Sequence, residues 1–170
     1  MRAIGIVGWS GSGKTTLITQ LLPLLRAQKL RVSTIKHAHT GFDLDQPGKD
    51  SFRHREAGAQ EVMVVTGNRW VLLRDTPQEA KLDDLLERMA EVDMVLVEGM
   101  KAIDLTKIEV HRPSLGKPPI WPTQPRILAV ASDAPLINCD RVVLPLNRPD
   151  RIVNWMMRLT GLELSRVRRS

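Results

Sequence analysis

Short apolar runs alternate along the chain with stretches whose apolar residues recur every three or four positions. Ala3, Ile4, Gly5, Ile6 and Val7 form a run too short for a helix and read as a buried strand. Over residues 16–28, Leu17, Leu21, Leu24 and Gln28 share one side, with Ile18, Leu22 and Leu25 beside them, which is helical spacing. Residues 32–35 read as a second strand, followed by a polar loop over 36–49 and a helical stretch over 50–59. Residues 62–65 and 70–73 flank Gly67-Asn68, a turn signal between β-rich runs, and predict a hairpin. Residues 78–90 are helical in pattern, and 92–97 are apolar except for Asp93, as in a central parallel strand. Residues 107–111 alternate as a strand does, 127–131 and 142–146 read as strands, and 152–159 as a final helix. Between them, Pro113, Pro118, Pro119, Pro122 and Pro125 exclude a regular helix or central strand. Residues 113–125 are therefore expected to be an exposed loop and a candidate partner surface. The alternation predicts an α/β fold: three layers around a mostly parallel sheet, an antiparallel hairpin, and ligand loops at the strand C-termini.

The first strand and helix enclose a chemical signal. Gly8-Trp9-Ser10-Gly11-Ser12-Gly13-Lys14-Thr15 fits the phosphate-cradling pattern G-x-x-x-x-G-K-[ST]. Gly8, Gly11 and Gly13 let the backbone turn tightly and bring N–H groups against phosphate oxygens. Lys14 adds a point charge for the outer phosphates, and the Thr15 hydroxyl can ligate Mg²⁺. Ser10, Ser12 and Thr16 complete the expected phosphate contacts. Strand, glycine loop and helix in that order aim a helix N-terminus at the anion, the arrangement of a P-loop nucleotide-binding domain.

Composition narrows the class. The 170 residues are 42% hydrophobic and 26% charged, as in one globular domain, here expected over 1–165. Lys+Arg 25 against Asp+Glu 19 gives +6, part of it in a basic tail over 166–170. That balance suits a nucleotide binder, whereas only six aromatics, none of them tyrosine, offer no stacking platform for nucleic acid. Cys139 is the single cysteine, which excludes a disulfide framework and a zinc knuckle. The N-terminus lacks a secretory h-region and no apolar run approaches 18 residues, so a cytoplasmic protein without a membrane segment is expected.

Other residues are candidates for the metal and the base. Glu98 ends the apolar run 94–97 and could hold Mg²⁺, through a water, or orient the attacking water, while Asp93 falls at the opposite end of the same strand. In the loop after the second strand, Asp43 or Asp45 could touch Mg²⁺ or its waters, and His37 with His39 could join them around a transition metal. His54 and His111 read as surface residues. Asn147-Arg148-Pro149-Asp150 resembles the guanine-reading N-K-x-D pattern, with Arg in place of Lys, but also reads as an ordinary helix start. Ser132-Asp133 directly follows a strand, and a carboxylate there could accept hydrogens from guanine N1 and N2, which adenine cannot offer.

Taken together, these blocks resemble one family. Residues 9–17, Ile35-Lys36-His37, the segment Asp43-x-Asp45-x-Pro47-Gly48-Lys49-Asp50-Ser51, Glu56-Ala57-Gly58-Ala59, Leu96-Val97-Glu98-Gly99-x-Lys101 and Ala129-Val130-Ala131-Ser132-Asp133 are similar to those of the MobB family of molybdopterin-guanine dinucleotide biosynthesis adapters. The resemblance covers most of 4–112 and resumes at 126–136. It implies a dimeric GTP-binding protein with Mg²⁺ and weak GTPase activity, which assists the MobA guanylyltransferase as it joins GMP to molybdopterin. Carried across, Gly11 to Thr16 would hold phosphates, with Glu98 and Asp43 or Asp45 near Mg²⁺. A small-molecule kinase is the competing reading, with Arg53 and Arg55 as its local arginine pair. A nucleic-acid or scaffold protein that uses the basic tail is the third.

Overall fold

A computed structural model describes residues 1–38 and 45–162. Along the chain run β1 (Arg2–Val7), α1 (Lys14–Ala27), β2 (Val32–Lys36), α2 (Asp50–Glu56), β3 (Val62–Val65), β4 (Trp70–Leu73), α3 (Leu82–Arg88), β5 (Met94–Glu98), β6 (Lys107–His111), β7 (Ile127–Ser132), β8 (Val142–Pro145) and α4 (Pro149–Thr160), with 3₁₀ turns at Pro113–Leu115 and Trp121–Thr123. They fall into two compact units, Met1–His37 with Glu91–Ser170, and Ala38–Ala90. The basic tail over 166–170 lies outside the described residues.

In the first unit six strands pair in parallel, in the order β2-β5-β1-β6-β7-β8. Parallel strands need crossovers that cover both sheet faces, which is why β1 and β5 are apolar almost throughout. Ile4, Ile6 and Leu96 pack with Leu17, Leu21 and Leu25 of α1 and Ile152 and Met156 of α4. A second cluster joins Val7, Ile127 and Val130 to Ile120 and Trp121. All the expected strands form, as part of a P-loop α/β fold.

The proline-rich segment differs from the exposed loop expected of it. Most of 113–119 is exposed, but Ile120 and Trp121 are buried. They cover a strand whose alternation suggests a solvated face, and all five residues of β6 are in fact buried. Each polar group there has a local partner. The Lys107 ammonium donates to the Ile103 carbonyl. The Glu109 carboxylate accepts from the Ile120 N–H at 3.0 and 3.1 Å and from the Trp121 N–H at 2.8 Å. His111, expected on the surface, is also buried, edge-on to Trp121 with centroids 5.4 Å apart. Prolines conceal the anchor in the sequence because they break the periodicity that would reveal it.

The second unit holds α2, α3 and the hairpin, where Val62 faces Leu73 and Val65 faces Trp70 in antiparallel register. Helix α2 stops at Glu56, short of the expected 59, because Gly58 turns the chain at φ +100°. Helix α3 is shorter than the expected 78–90, since Lys81 and Met89 are both extended and bound it at 82–88. Among the described residues no helix is long and apolar enough to cross a membrane.

Burial pushes the Glu109 carboxyl pKa up, against the opposing pull of the Ile120 and Trp121 N–H groups. A carboxyl raised on folding stabilises the fold most below its unfolded pKa, and that contribution is lost as pH rises through the folded one. Glu109→Ala strands two buried N–H groups and is expected to cost about 2–4 kcal/mol in chemical denaturation. Glu109→Gln keeps an acceptor and should close part of its stability gap to wild type as pH rises from 4 to 7. A cost below about 1 kcal/mol for the alanine variant would mean that the segment does not depend on this carboxylate.

Candidate phosphate-binding site

The loop between β1 and α1 is shaped by its glycines. Gly8 sits at φ +149°, where a Cβ would come within 2.5 Å of the Val110 carbonyl and 2.6 Å of the Ser12 hydroxyl. Gly13, at φ +95°, is the N-cap of α1 and supplies no side-chain cap. The first turn of this 14-residue helix contains no acidic residue. Its dipole and its first N–H groups therefore face the loop without a neutralising group, which favours an anion.

Lys14 and Thr15 emerge from that first turn. The Lys14 ammonium donates to the carbonyls of Gly8 at 3.1 Å and Trp9 at 3.0 Å, so it folds back over the loop. Burial lowers its pKa; the Glu98 charge opposes this, and Lys101 and Lys36 reinforce it. The Thr15 hydroxyl donates to Oε1 of Glu98 at 2.7 Å. The contact follows from register: Ile6 pairs with Glu98, so the end of β5 stands beside the root of the loop. A hydroxyl and a carboxylate this close supply the hard oxygen donors that Mg²⁺ accepts, and Lys14 offsets phosphate charge beside them. The donor set fits a hydrated Mg²⁺ with a polyphosphate.

On the other side of the loop, a cavity of about 710 Å³ runs along the start of α1, lined among others by Gly13, Thr16, Arg112, Asp133, Asn147 and Pro149. Of the pair Ser132-Asp133, Asp133 is the one that lines it. The Ser132 hydroxyl is used in a local turn, donating to the Ala134 carbonyl at 2.8 Å and accepting from its N–H at 3.2 Å. Asn147 reaches the same cavity, while Arg148 and Asp150 pair with each other at 2.8–2.9 Å across the start of α4, as a helix start does.

Arg112 is not apparent from the sequence. Its Nε donates to the Ser12 carbonyl at 3.0 Å and its Nη1 to the Asp133 carboxylate, so it bridges the phosphate loop and the cavity wall. The available signal is its place directly after a strand that pairs with β1. Trp9 is tied in as well, with its indole N–H on the Pro118 carbonyl at 2.7 Å and the Lys101 ammonium 4.3 Å from its ring centre.

Of the remaining candidates, His37 directly follows β2 in the first unit, where its N–H donates to the Glu98 carbonyl at 2.9 Å, and the others belong to the second unit or lie outside the described residues. The Asp45 carboxylate is buried, accepts from the Ser51 hydroxyl at 2.6 Å and faces Arg55 Nε at 3.3 Å, so a cation there would compete with a guanidinium. Asp43 and His39 lie outside the described residues. Among those described, no three His, Cys, Asp or Glu side chains come together as a transition metal would need.

A parallel sheet whose first strand runs through a glycine loop into an uncapped helix, with a carboxylate from the adjacent strand on the loop threonine, defines a P-loop protein. Residues 3–133 match the family profile of molybdopterin guanine dinucleotide synthesis protein B. The chain belongs to this MobB family. It is similar to the molybdopterin-guanine dinucleotide biosynthesis adapter protein of Haemophilus influenzae, with 42% identity across 93% of this chain and 91% of the relative. Similarity to the Escherichia coli protein of the same name is 40% across 93% and 95%. The crystal structure of a MobB homolog from Bacillus stearothermophilus superposes with a TM-score of 0.69 at 26% identity, covering 95% of this chain and 99% of that one.

Substitutions in the loop separate backbone clash from backbone strain. Gly11, at φ +79°, has no atom within 4 Å of the place a Cβ would take, so Gly11→Ala should cost only about 1–2 kcal/mol of left-handed strain. Gly8→Ala adds a collision with the Val110 backbone and should cost about 3 kcal/mol or more in thermal or denaturant unfolding. Equal costs at the two positions would contradict the packing of the loop against β6.

Proposed function

We propose that this protein binds GTP with Mg²⁺ at the loop and cavity, and serves as an adapter in molybdopterin-guanine dinucleotide biosynthesis. In that role it would assist the MobA-type guanylyltransferase that joins GMP to molybdopterin. The observation that carries the nucleotide half is the Thr15–Glu98 contact at the head of an uncapped helix. The pathway half is supported by membership of the MobB family and by the names of the relatives from Haemophilus influenzae and Escherichia coli.

In this reading the N–H groups of Gly11 to Thr16 cradle the phosphates, and Lys14 neutralises the outer ones. Thr15 and Glu98 would hold Mg²⁺, which when bound screens charge between the phosphates. Glu98 would also orient a water, which makes weak GTPase activity part of the proposal. Asp133 reads the guanine edge from the cavity wall, with Asn147 beside it. A cytoplasmic homodimer completes the reading, and the exposed Met63, Val65 and Trp70 of the hairpin offer apolar surface for it. The kinase reading has less support, because Arg55 of its arginine pair is engaged by Asp45 and Asp75 and packs over Phe52.

Calorimetric titration with GTP and ATP in the presence of Mg²⁺ tests the proposal. GTP should bind at least about tenfold more tightly, and Lys14→Ala should weaken both nucleotides about a hundredfold or more. Equal affinity, or a preference for ATP, would remove the guanine assignment. Release of ADP only with a small-molecule acceptor would favour the kinase.

A further inference from the structure

Arg112 occupies a place that phosphate binding alone does not require. It follows β6, is roughly one-third exposed, and uses two faces of its guanidinium on different partners. Nε holds the Ser12 carbonyl inside the phosphate loop, and Nη1 holds Oδ2 of Asp133 on the cavity wall. Because the guanidinium is planar and rigid, fixing Nε and Nη1 also fixes where Nη2 points. Nη2 lies 3.5 Å from the position a Gly13 Cβ would take and has no protein partner among the described residues. It stands at the helix N-cap, on the side of the loop that opens into the cavity shared with Thr16 and Asn147. Only Oδ2 of Asp133 is engaged, so Oδ1 is left to accept from a ligand.

We propose that Arg112 sets nucleotide specificity by linking the two ends of the site. Its Nη2 contacts the phosphate next to the nucleoside, while its Nη1 holds Asp133 in the orientation that accepts from guanine N1 and N2. The proposal rests on the GTP-binding reading above and adds to it a physical link between phosphate and base. A single rigid side chain shared by both contacts makes base discrimination depend on a residue that never touches the base. A lysine at 112 could contact the phosphate but could not hold both Ser12 and Asp133, because it lacks the fork.

The test is calorimetric titration of the full chain with Mg–GTP, Mg–ATP and inorganic tripolyphosphate, for wild type, Arg112→Ala, Arg112→Lys, Asp133→Asn and the Arg112→Ala/Asp133→Asn double variant. Circular dichroism and the thermal midpoint establish that each is folded, and Arg112→Lys carries the test if the alanine variant is not. Arg112→Ala should weaken tripolyphosphate about tenfold and lower the GTP-over-ATP preference about tenfold as well. Asp133→Asn should lower the preference and leave tripolyphosphate affinity equal or higher, because the Arg112 cation loses its carboxylate partner. The double variant should lose no more preference than either single one, since the two residues act as a unit. Arg112→Lys should retain tripolyphosphate affinity within about threefold and still lose the preference. If Arg112→Ala weakens all three ligands equally, the side chain is a simple phosphate charge and the link is overturned. Unchanged affinities in Arg112→Ala overturn it too. A wild type that does not prefer GTP defeats the underlying reading before any substitution is made, so the two failures are distinguishable.

Discussion

β1 is held between two parallel neighbours, and that pairing decides where the groups of the site can stand. Ile6 is in register with Glu98 of β5, and Val7 with Glu109 of β6. Because the strands are parallel, their C-terminal ends gather at one edge of the sheet, and the loops that follow them open there. The phosphate loop leaves β1 at that edge, Glu98 ends β5, Arg112 follows β6 and Asp133 follows β7. The buried aliphatic side chains of the sheet thus hold in place the polar groups that would bind a nucleotide. Asp93 shows the opposite case: at the other end of β5 it accepts from the Arg31 N–H and takes no part in the site.

The electrostatics at that edge favour an anion. Burial works against the charge on Lys14, and two further lysines, at 36 and 101, add to the strain, with Glu98 as the compensating carboxylate. A polyphosphate would relieve this imbalance, since it would bring negative charge to a cluster that the protein only partly neutralises. The loop is also braced from outside. Trp9 leans on Pro118, and two residues further along the chain Ile120 and Trp121 are pinned to Glu109 inside the sheet. The proline-rich segment therefore supports the site, and the parts of it still exposed, 113–119 with Pro122, Thr123 and Pro125, are what it could offer a partner.

Much of this architecture is legible in the order of residues, because it depends on local pattern. The glycine loop, the apolar runs of β1, β5 and β7, and the Gly67-Asn68 hairpin all announce themselves within a dozen positions. Glu98 is legible for the same reason, as the first polar residue after a buried run. What the sequence conceals is whatever depends on distant segments meeting. Arg112 and Asp133 are 21 positions apart and Arg112 is 100 from Ser12, so only the strand order brings the three together. His111 looks like a surface histidine until Trp121 covers it. Asp45 reads as a candidate for touching Mg²⁺, and the sequence does not show that Arg55 and Ser51 also meet its carboxylate. Helix ends depart from the periodicity where Gly58 and the extended residues Lys81 and Met89 cut short a continuing pattern.

The pairing of Thr15 with Glu98 is where the loop, the sheet register and the proposed metal converge. The most direct measurement is the affinity for GTP with and without Mg²⁺, in wild type and in Glu98→Gln. Wild type should bind about tenfold or more tightly when Mg²⁺ is present, and Glu98→Gln should lose that gain. Its metal-free affinity should be equal or higher, because a negative charge beside the phosphates has been removed. A Glu98→Gln variant that keeps the full Mg²⁺ gain would contradict the assignment of this carboxylate to the nucleotide's metal.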